Sequence, residues 1–262
     1  MTAYEKLKEA RSQNRPTASA YISKLITDPI EFHGDRCFGD DPAIIGGVGL
    51  LGNIPVTYIA TERGTATEER IKRNFGCPKP EGYRKALRLM KQAEKFHRPV
   101  ITLVDTSGAF CGKDAEERGQ GQAIAENLAC MMGLRTPIIT AIIGEGESGG
   151  ALGIAVADRV YMLENAVYSV ISPEGCASIL WKDSSRAPEM AENLKITAKY
   201  MKKFGIAERI IPEQFDRFHA MCGEMKKILY HDIMLLKEKS CDTLLEERYA
   251  RFRRIGRVDK SV

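Results

Sequence analysis

Gly146-Glu147-Ser148-Gly149-Gly150 lies between a β-branched apolar run, TPIITAIIG at 136–144, and the small-residue run ALGIAVA, and three readings suit that spacing. As G-x-S-x-G at a strand-to-helix turn it matches the nucleophile elbow of serine hydrolases, which puts the chemistry on the Ser148 hydroxyl. A hydroxyl needs a base. In elbow-type hydrolases the histidine follows the serine, which leaves His219 in DRFHAM and His231 in LYHDIM, both in helical patterns. The second reading makes Ser148 a helix N-cap without chemistry. The third uses the backbone: at a helix start Gly149 and Gly150 leave their N–H groups unpaired, unobstructed by side chains and at the positive end of the helix dipole, which is how an oxyanion hole is built.

A second loop bears on the third reading. Ser107-Gly108-Ala109 follows the strand-like run VITLVDT at 100–106, so its amides reach the same edge of the sheet if the two strands are neighbours. Two amide loops converging on one point suit thioester chemistry, where a carbonyl becomes an enolate or tetrahedral oxyanion and each donor lowers the barrier by about 2.7–4 kcal/mol. Anion binding has its own candidates. Residues 70–98 hold ten Lys or Arg against two acids; an exposed helix face explains many of them, whereas Lys72 and Arg73, just before Gly76, are placed to meet a phosphate or carboxylate. A nucleic-acid groove wants interleaved aromatics, and only Phe75, Tyr83 and Phe96 are available in a chain of net charge +4. Gly47, Gly49 and Gly52 spell G-x-G-x-x-G, but a strand follows them instead of a helix, so they are read as hairpin glycines and not as a dinucleotide site.

The elements that must position these residues alternate. AIIGGVGLL and IPVTYIA, joined at Gly52-Asn53, predict a β-hairpin over 43–60. Helical spacing covers 65–74 and 81–97, the second with Tyr83, Leu87, Met90 and Ala93 on one face and Pro99 as its stop. Strand 100–106, a helix over 115–132, strand 136–144 and a buried helix over ALGIAVA follow. Strands at 159–163 and 167–171 lead to a helix with Ser172 as cap and Pro173 in its first turn, and then to mostly helical sequence interrupted by ERIIPE at 208–213. The division is a single α/β domain over 1–262, with a helical N-terminal extension at 1–30, a core at 31–213 and a helical C-terminal extension at 214–262. Residues 248–257, with five arginines and no acid, read as a solvated or partner-facing tail.

Composition removes other classes. With 262 residues, 44% hydrophobic and 28% charged, the chain is neither disordered nor fibrous. Its seven cysteines are odd in number and include no C-x-x-C pair, which argues against a disulfide framework and against a zinc ribbon, so no metal is expected in this chain. The charged N-terminus lacks the apolar core of a signal peptide, and the apolar run at 137–144 is too short to span a bilayer. The expectation is a soluble, reduced, cytoplasmic protein with no membrane partner.

The runs RIKRNFGCPKPEGYRKALRLM, DTSGAF with EERGQGQAIAENL, IGEGESGGALGIAVADRVYMLENAVYSVISPEGCASILWK and the late IIPE closely resemble the α-subunit family of the bacterial acetyl-coenzyme A carboxylase carboxyltransferase, over about 15–213. The resemblance implies a crotonase-like (ClpP/crotonase) fold, a spiral of ββα units. It also implies carboxyl transfer from carboxybiotin to acetyl-CoA, giving malonyl-CoA for fatty acid synthesis. By the same resemblance Gly149 and Gly150 are the amide donors, with Gly108 and Ala109 as supporting wall or second donor; on that reading the Ser148 hydroxyl is a cap or minor substrate contact, and Lys72 and Arg73 keep the anion contacts read from their position before Gly76. The partners implied are a separate β subunit carrying a zinc ribbon, in an α2β2 heterotetramer, together with the biotin carboxyl carrier protein and biotin carboxylase. No side-chain base is required, because the ureido anion left when carboxybiotin releases its carboxyl group can take the methyl proton. Phe110-Cys111 departs from the tyrosine and proline common in the family, and the tail after Glu213 matches nothing in it. A serine hydrolase and a noncatalytic assembly subunit are the alternatives.

Overall fold

The computed structural model describes residues 1–257. Helices α1 (Ala3–Ala10) and α2 (Ala18–Leu25) lead into β1 (Thr27–Glu31), β2 (Ile44–Leu51) and β3 (Ile54–Thr61), an antiparallel meander. β2 and β3 form the expected hairpin: Leu51 pairs with Ile54 across a two-residue turn, and Gly52 sits at φ +64°, which such turns require. Gly47 has a different task. A Cβ there would fall on the Ile30 carbonyl, so β1 can lie across β2 only over glycine.

From β3 the sheet continues in parallel through β4 (Val100–Thr106), β5 (Ile138–Glu147), β6 (Arg159–Leu163) and finally β8 (Arg209–Ile211), while the short β7 (Val167–Ser169) pairs with the C-terminal end of β5. Every residue of β4 and β5 is buried, which is why both read as continuous apolar runs instead of alternating ones. The helices between strands are α3 (Thr67–Lys72), α4 (Pro80–Lys95), α5 (Lys113–Glu117), α6 (Gln120–Gly133) and α7 (Ser148–Leu152). α4 starts with Pro80 in its first turn and buries Tyr83, Ala86, Leu89, Met90 and Ala93, with Leu87 only half-buried; it packs on β2, β3 and α6. After β7 come α8 (Pro173–Trp181), capped by Ser172 as expected, then α9 (Ala187–Leu194), α10 (Ala198–Lys203), α11 (Phe218–Lys237) and α12 (Cys241–Arg254).

Three local expectations change. The run ALGIAVA is not one helix: α7 stops at Leu152, and Ile154 and Ala155 donate to Ala151 and Leu152, tight turns that bring the chain back to β6 beside β5. The strand expected over 167–171 ends at Ser169. The arginine-rich tail is not uniformly solvated. Arg248, 1% exposed, places all five guanidinium donors, two on Asp158 at 2.8 Å and three on the carbonyls of Met131, Leu134 and Thr136. Arg251 is buried against Glu208, so two of the five arginines fasten α12 to the core, while Arg253, Arg254 and Arg257 are exposed. The last residues of the expected 214–262 extension, 258–262, lie outside the described residues. No helix among the described residues is long and apolar enough to cross a membrane.

Candidate active site

β4 and β5 are adjacent and parallel, with Thr106 paired to Gly146, so the loops that leave their C-terminal ends start side by side. The closest approach is at Gly150. A Cβ there would stand 2.7 Å from the Gly108 Cα and closer still to the Ala109 nitrogen, all of it backbone, so the two loops touch only because residue 150 is glycine. Among the described residues no acceptor meets the N–H groups of Ala109, Gly149 or Gly150. The Gly108 N–H is taken: it donates to Thr106 Oγ1 at 3.1 Å, while that hydroxyl donates to the Gly108 carbonyl at 2.8 Å. Gly108 is therefore wall and not donor.

Ser148 sits at φ +57°, an unusual conformation for a residue with a side chain, and is the first residue of α7. The cap position belongs to Glu147, so the N-cap reading of Ser148 does not hold. The nucleophile reading lacks a base. His219 and His231 are both exposed on α11, which packs on α2, and among the described residues no histidine or carboxylate is hydrogen-bonded to the Ser148 hydroxyl.

The loop containing Phe110-Cys111 is held on three sides. Phe110 N–H donates to the Pro78 carbonyl at 2.9 Å, the buried Gln120 amide donates to the carbonyls of Pro78 (2.8 Å) and Phe110 (2.9 Å), and the Lys79 ammonium lies over the Phe110 ring. These contacts hold the loop at Phe110, while Cys111 is exposed.

Two cavities flank the turn. An apolar one of about 310 Å³ is lined by Ser148, Gly149, Leu152, Tyr168, Val170 and Met201 among others. A polar one of about 370 Å³ is lined by Arg11, Arg63, Arg70, Phe75, Ser107 and Glu145. Beneath the second lies an ion network. Glu145 accepts from Arg11 at 2.6 Å and from Arg63 at 2.8 Å, Arg63 also pairs with the buried Asp105 at 3.2 Å, and Arg11 reaches Glu147 at 3.7 Å. Burial, reinforced by the neighbouring Glu145 and opposed by Arg11, pushes the Glu147 carboxyl up to about 7.

Lys72 and Arg73 are not brought to this cavity. Lys72 is exposed, and Arg73 is spent on Glu69 at 3.0 Å and the Pro42 carbonyl at 2.7 Å; the cavity's cations are Arg11, Arg63 and Arg70. Several others of the basic stretch bind the loop 33–41 instead: Arg84 pairs with Asp35, the fully buried Lys85 with Asp40, and Arg88 with the carbonyls of His33 and Gly34. Sequence reasoning missed Arg11, Arg63, Glu145 and Glu147. The one available signal was two acids at alternate positions inside an otherwise apolar strand, which marks buried carboxylates needing partners.

The parallel strands whose C-terminal ends carry these two touching loops belong to the crotonase-like fold, and solved structures share the architecture. A transcarboxylase 12S crystal structure superposes with a TM-score of 0.73 at 18% identity, covering 88% of this chain and 44% of that one. A Pseudomonas malonate decarboxylase hetero-tetramer in complex with coenzyme A matches with a TM-score of 0.66 at 18% identity, over 83% of this chain and 91% of that one. At sequence level, residues 1–256 match the family model described as acetyl co-enzyme A carboxylase carboxyltransferase-like, so the match is not confined to 15–213 and takes in most of the tail after Glu213 that the motifs had left unplaced. The acetyl-coenzyme A carboxylase carboxyl transferase subunit alpha of Ruminiclostridium cellulolyticum is 56% identical over 258 residues, 98% of this chain and 99% of that protein. A beta/alpha protein of Natranaerobius thermophilus is 52% identical over 266 residues, spanning 100% of this chain and 44% of its own length. The chain belongs to the acetyl-coenzyme A carboxylase carboxyltransferase α-subunit family, and it is a component of a biotin-dependent carboxyltransferase.

Proposed function

We propose that this chain furnishes the biotin-facing half of a site that moves a carboxyl group from carboxybiotin, carried on the biotin carboxyl carrier protein, to acetyl-CoA. The observation that carries this reading is the contact of Gly150 with the backbone of Gly108 and Ala109, which brings the two loops together where the N–H groups of Ala109, Gly149 and Gly150 have no acceptor among the described residues. Such a point fits an oxyanion. Carboxybiotin supplies the carboxyl group and, once that group leaves, the ureido anion that takes the acetyl methyl proton. The amides of Gly149 and Gly150 hold the ureido oxygen as it gains charge, Ala109 adds a further donor, Gly108 shapes the wall, and Ser148 lines the apolar side. Arg70, which lines the polar cavity without a carboxylate partner among the described residues, takes the anion contact that the sequence placed on Lys72 and Arg73.

The partner is a separate β subunit bearing a zinc ribbon, in an α2β2 heterotetramer acting with biotin carboxylase in the cytoplasm. The family name and the joined beta/alpha relative support that pairing. The test is co-expression with a β subunit followed by a carboxyl-transfer assay and metal analysis. The chain alone is expected to be free of stoichiometric zinc and nearly inactive, and the complex active. Full activity in a chain verified free of β subunit, or one tightly bound zinc per chain, overturns the division of labour.

A further inference from the structure

α7 is too short to hold itself. It is five residues long; its last helical bond runs from the Gly153 N–H to the Gly149 carbonyl at 2.9 Å, and the next amide, Ile154, donates to Ala151, so the Gly150 carbonyl receives no backbone partner. Two of its residues are glycines, which have the widest backbone freedom. Something outside the turn has to fix it if its amides are to stay aimed.

Two buried side chains supply that restraint. The Tyr83 hydroxyl, from α4, donates to the Gly150 carbonyl at 2.9 Å, and the Asn127 amide, from α6, donates to the Gly153 carbonyl at 2.9 Å. Both side chains are 0% exposed, and their two helices pack on each other, so one rigid body grips both ends of the turn. The Tyr83 ring also lies against Gly153, where a Cβ would come within 2.8 Å of its Cε1. Burial pushes the phenol far above its ordinary value, which keeps the hydroxyl a donor.

We propose that Tyr83 is a positioning residue for carboxyl transfer: by holding the Gly150 carbonyl it sets the direction in which the Gly149 and Gly150 N–H groups point. This rests on the assignment of those amides as donors made under the proposed function. The held carbonyl fixes the 150–151 peptide group, the anchor to which the 149–150 peptide and its N–H are joined through φ and ψ of Gly150. Preorganised donors stabilise developing charge, whereas donors that wander must be reordered at the moment of reaction.

The experiment uses the assembled enzyme with Tyr83→Phe, with 4-aminophenylalanine at position 83, and with glycolate replacing Gly150, which swaps the N–H for an ester oxygen without adding a Cβ. Tyr83→Phe is expected to lower kcat by about 10- to 100-fold, the scale of a small misplacement of catalytic groups, with KM for acetyl-CoA within about twofold. The aminophenylalanine variant, a weaker donor at the same place, should lie between, at roughly 3- to 10-fold below wild type. If Tyr83→Phe fails to assemble, the aminophenylalanine variant carries the test alone. Wild-type kcat in an assembled Tyr83 variant, or a loss confined to KM, overturns the positioning role. The glycolate variant reads the amide assignment separately: unchanged kcat there removes both ideas, whereas low kcat there with wild-type Tyr83 variants removes only Tyr83.

Discussion

Gly149 and Gly150 are chemically identical neighbours, and the structure predicts opposite outcomes for the same substitution. At Gly150 a Cβ would meet Gly108 Cα at 2.7 Å and the Gly108 and Ala109 backbone closer still, against ordinary contacts of 3.4–4 Å. Backbone cannot rotate away, so the two loops must part by roughly 1 Å to reach normal separation. Overpacking of that kind costs about 1–3 kcal/mol of stability. It also spreads the amide cluster, and a displacement near 1 Å at reacting groups costs on the order of 100-fold in rate. At Gly149 the nearest atom to a new Cβ is an Ile124 methyl at 3.8 Å, and the site is helical, so alanine there is expected to be neutral or stabilising by up to about 1 kcal/mol. Thermal unfolding of each variant and kcat of the assembled enzyme make the comparison. Gly150→Ala at wild-type stability and turnover, with Gly149→Ala the damaged one, would refute the geometry on which the site rests. The same crowding makes Gly150→Pro an unsuitable probe of the amide, because any Cβ at 150 perturbs the loops before its N–H is considered.

Ser148→Ala is expected to retain carboxyl transfer within about fivefold, since no base is positioned to activate the hydroxyl, and Ser148→Gly to raise stability by about 1 kcal/mol by relieving φ +57°. Loss of turnover in a folded, assembled Ser148→Ala enzyme would restore the nucleophile. Because the Glu147 carboxyl is raised from an ordinary 4.5 to about 7, ionising it costs the folded state. Its favourable contribution is complete below about 4.5 and lost as pH rises through about 7. Glu147→Gln should therefore gain on wild type by on the order of 2–3 kcal/mol between those values in urea titrations at several pH values; a difference that does not change with pH contradicts the burial argument. Arg248→Ala strands Asp158 in the core and should cost about 3–5 kcal/mol, whereas Arg253→Ala on the exposed face should stay within about 0.5 kcal/mol; equal effects in denaturant would mean that α12 is not fastened by its buried guanidinium.

The sequence by itself determined what local chemistry can carry. Gly52-Asn53 specified the hairpin turn because few residues tolerate its backbone angles. The β-branched runs of β4 and β5 announced strands buried on both faces, and the long ordered motifs around GEGESGG and DTSGAF identified the family. What periodicity could not supply was the fate of charge. A guanidinium is solvated or buried according to whether acceptors from distant segments converge on it, so Arg248 in an acid-free tail and Arg63 after a strand looked no different from Arg253 or Lys72. Tyr83 was legible as a core position of α4, but its hydroxyl gained a task only when α7, sixty-seven positions along the chain, was folded beneath it. The touching of Gly150 with Gly108 and Ala109 likewise depended on β4 and β5 lying side by side. Local propensity sets which backbone shapes a segment can adopt; only tertiary packing decides which donors find acceptors and which are left facing an open site.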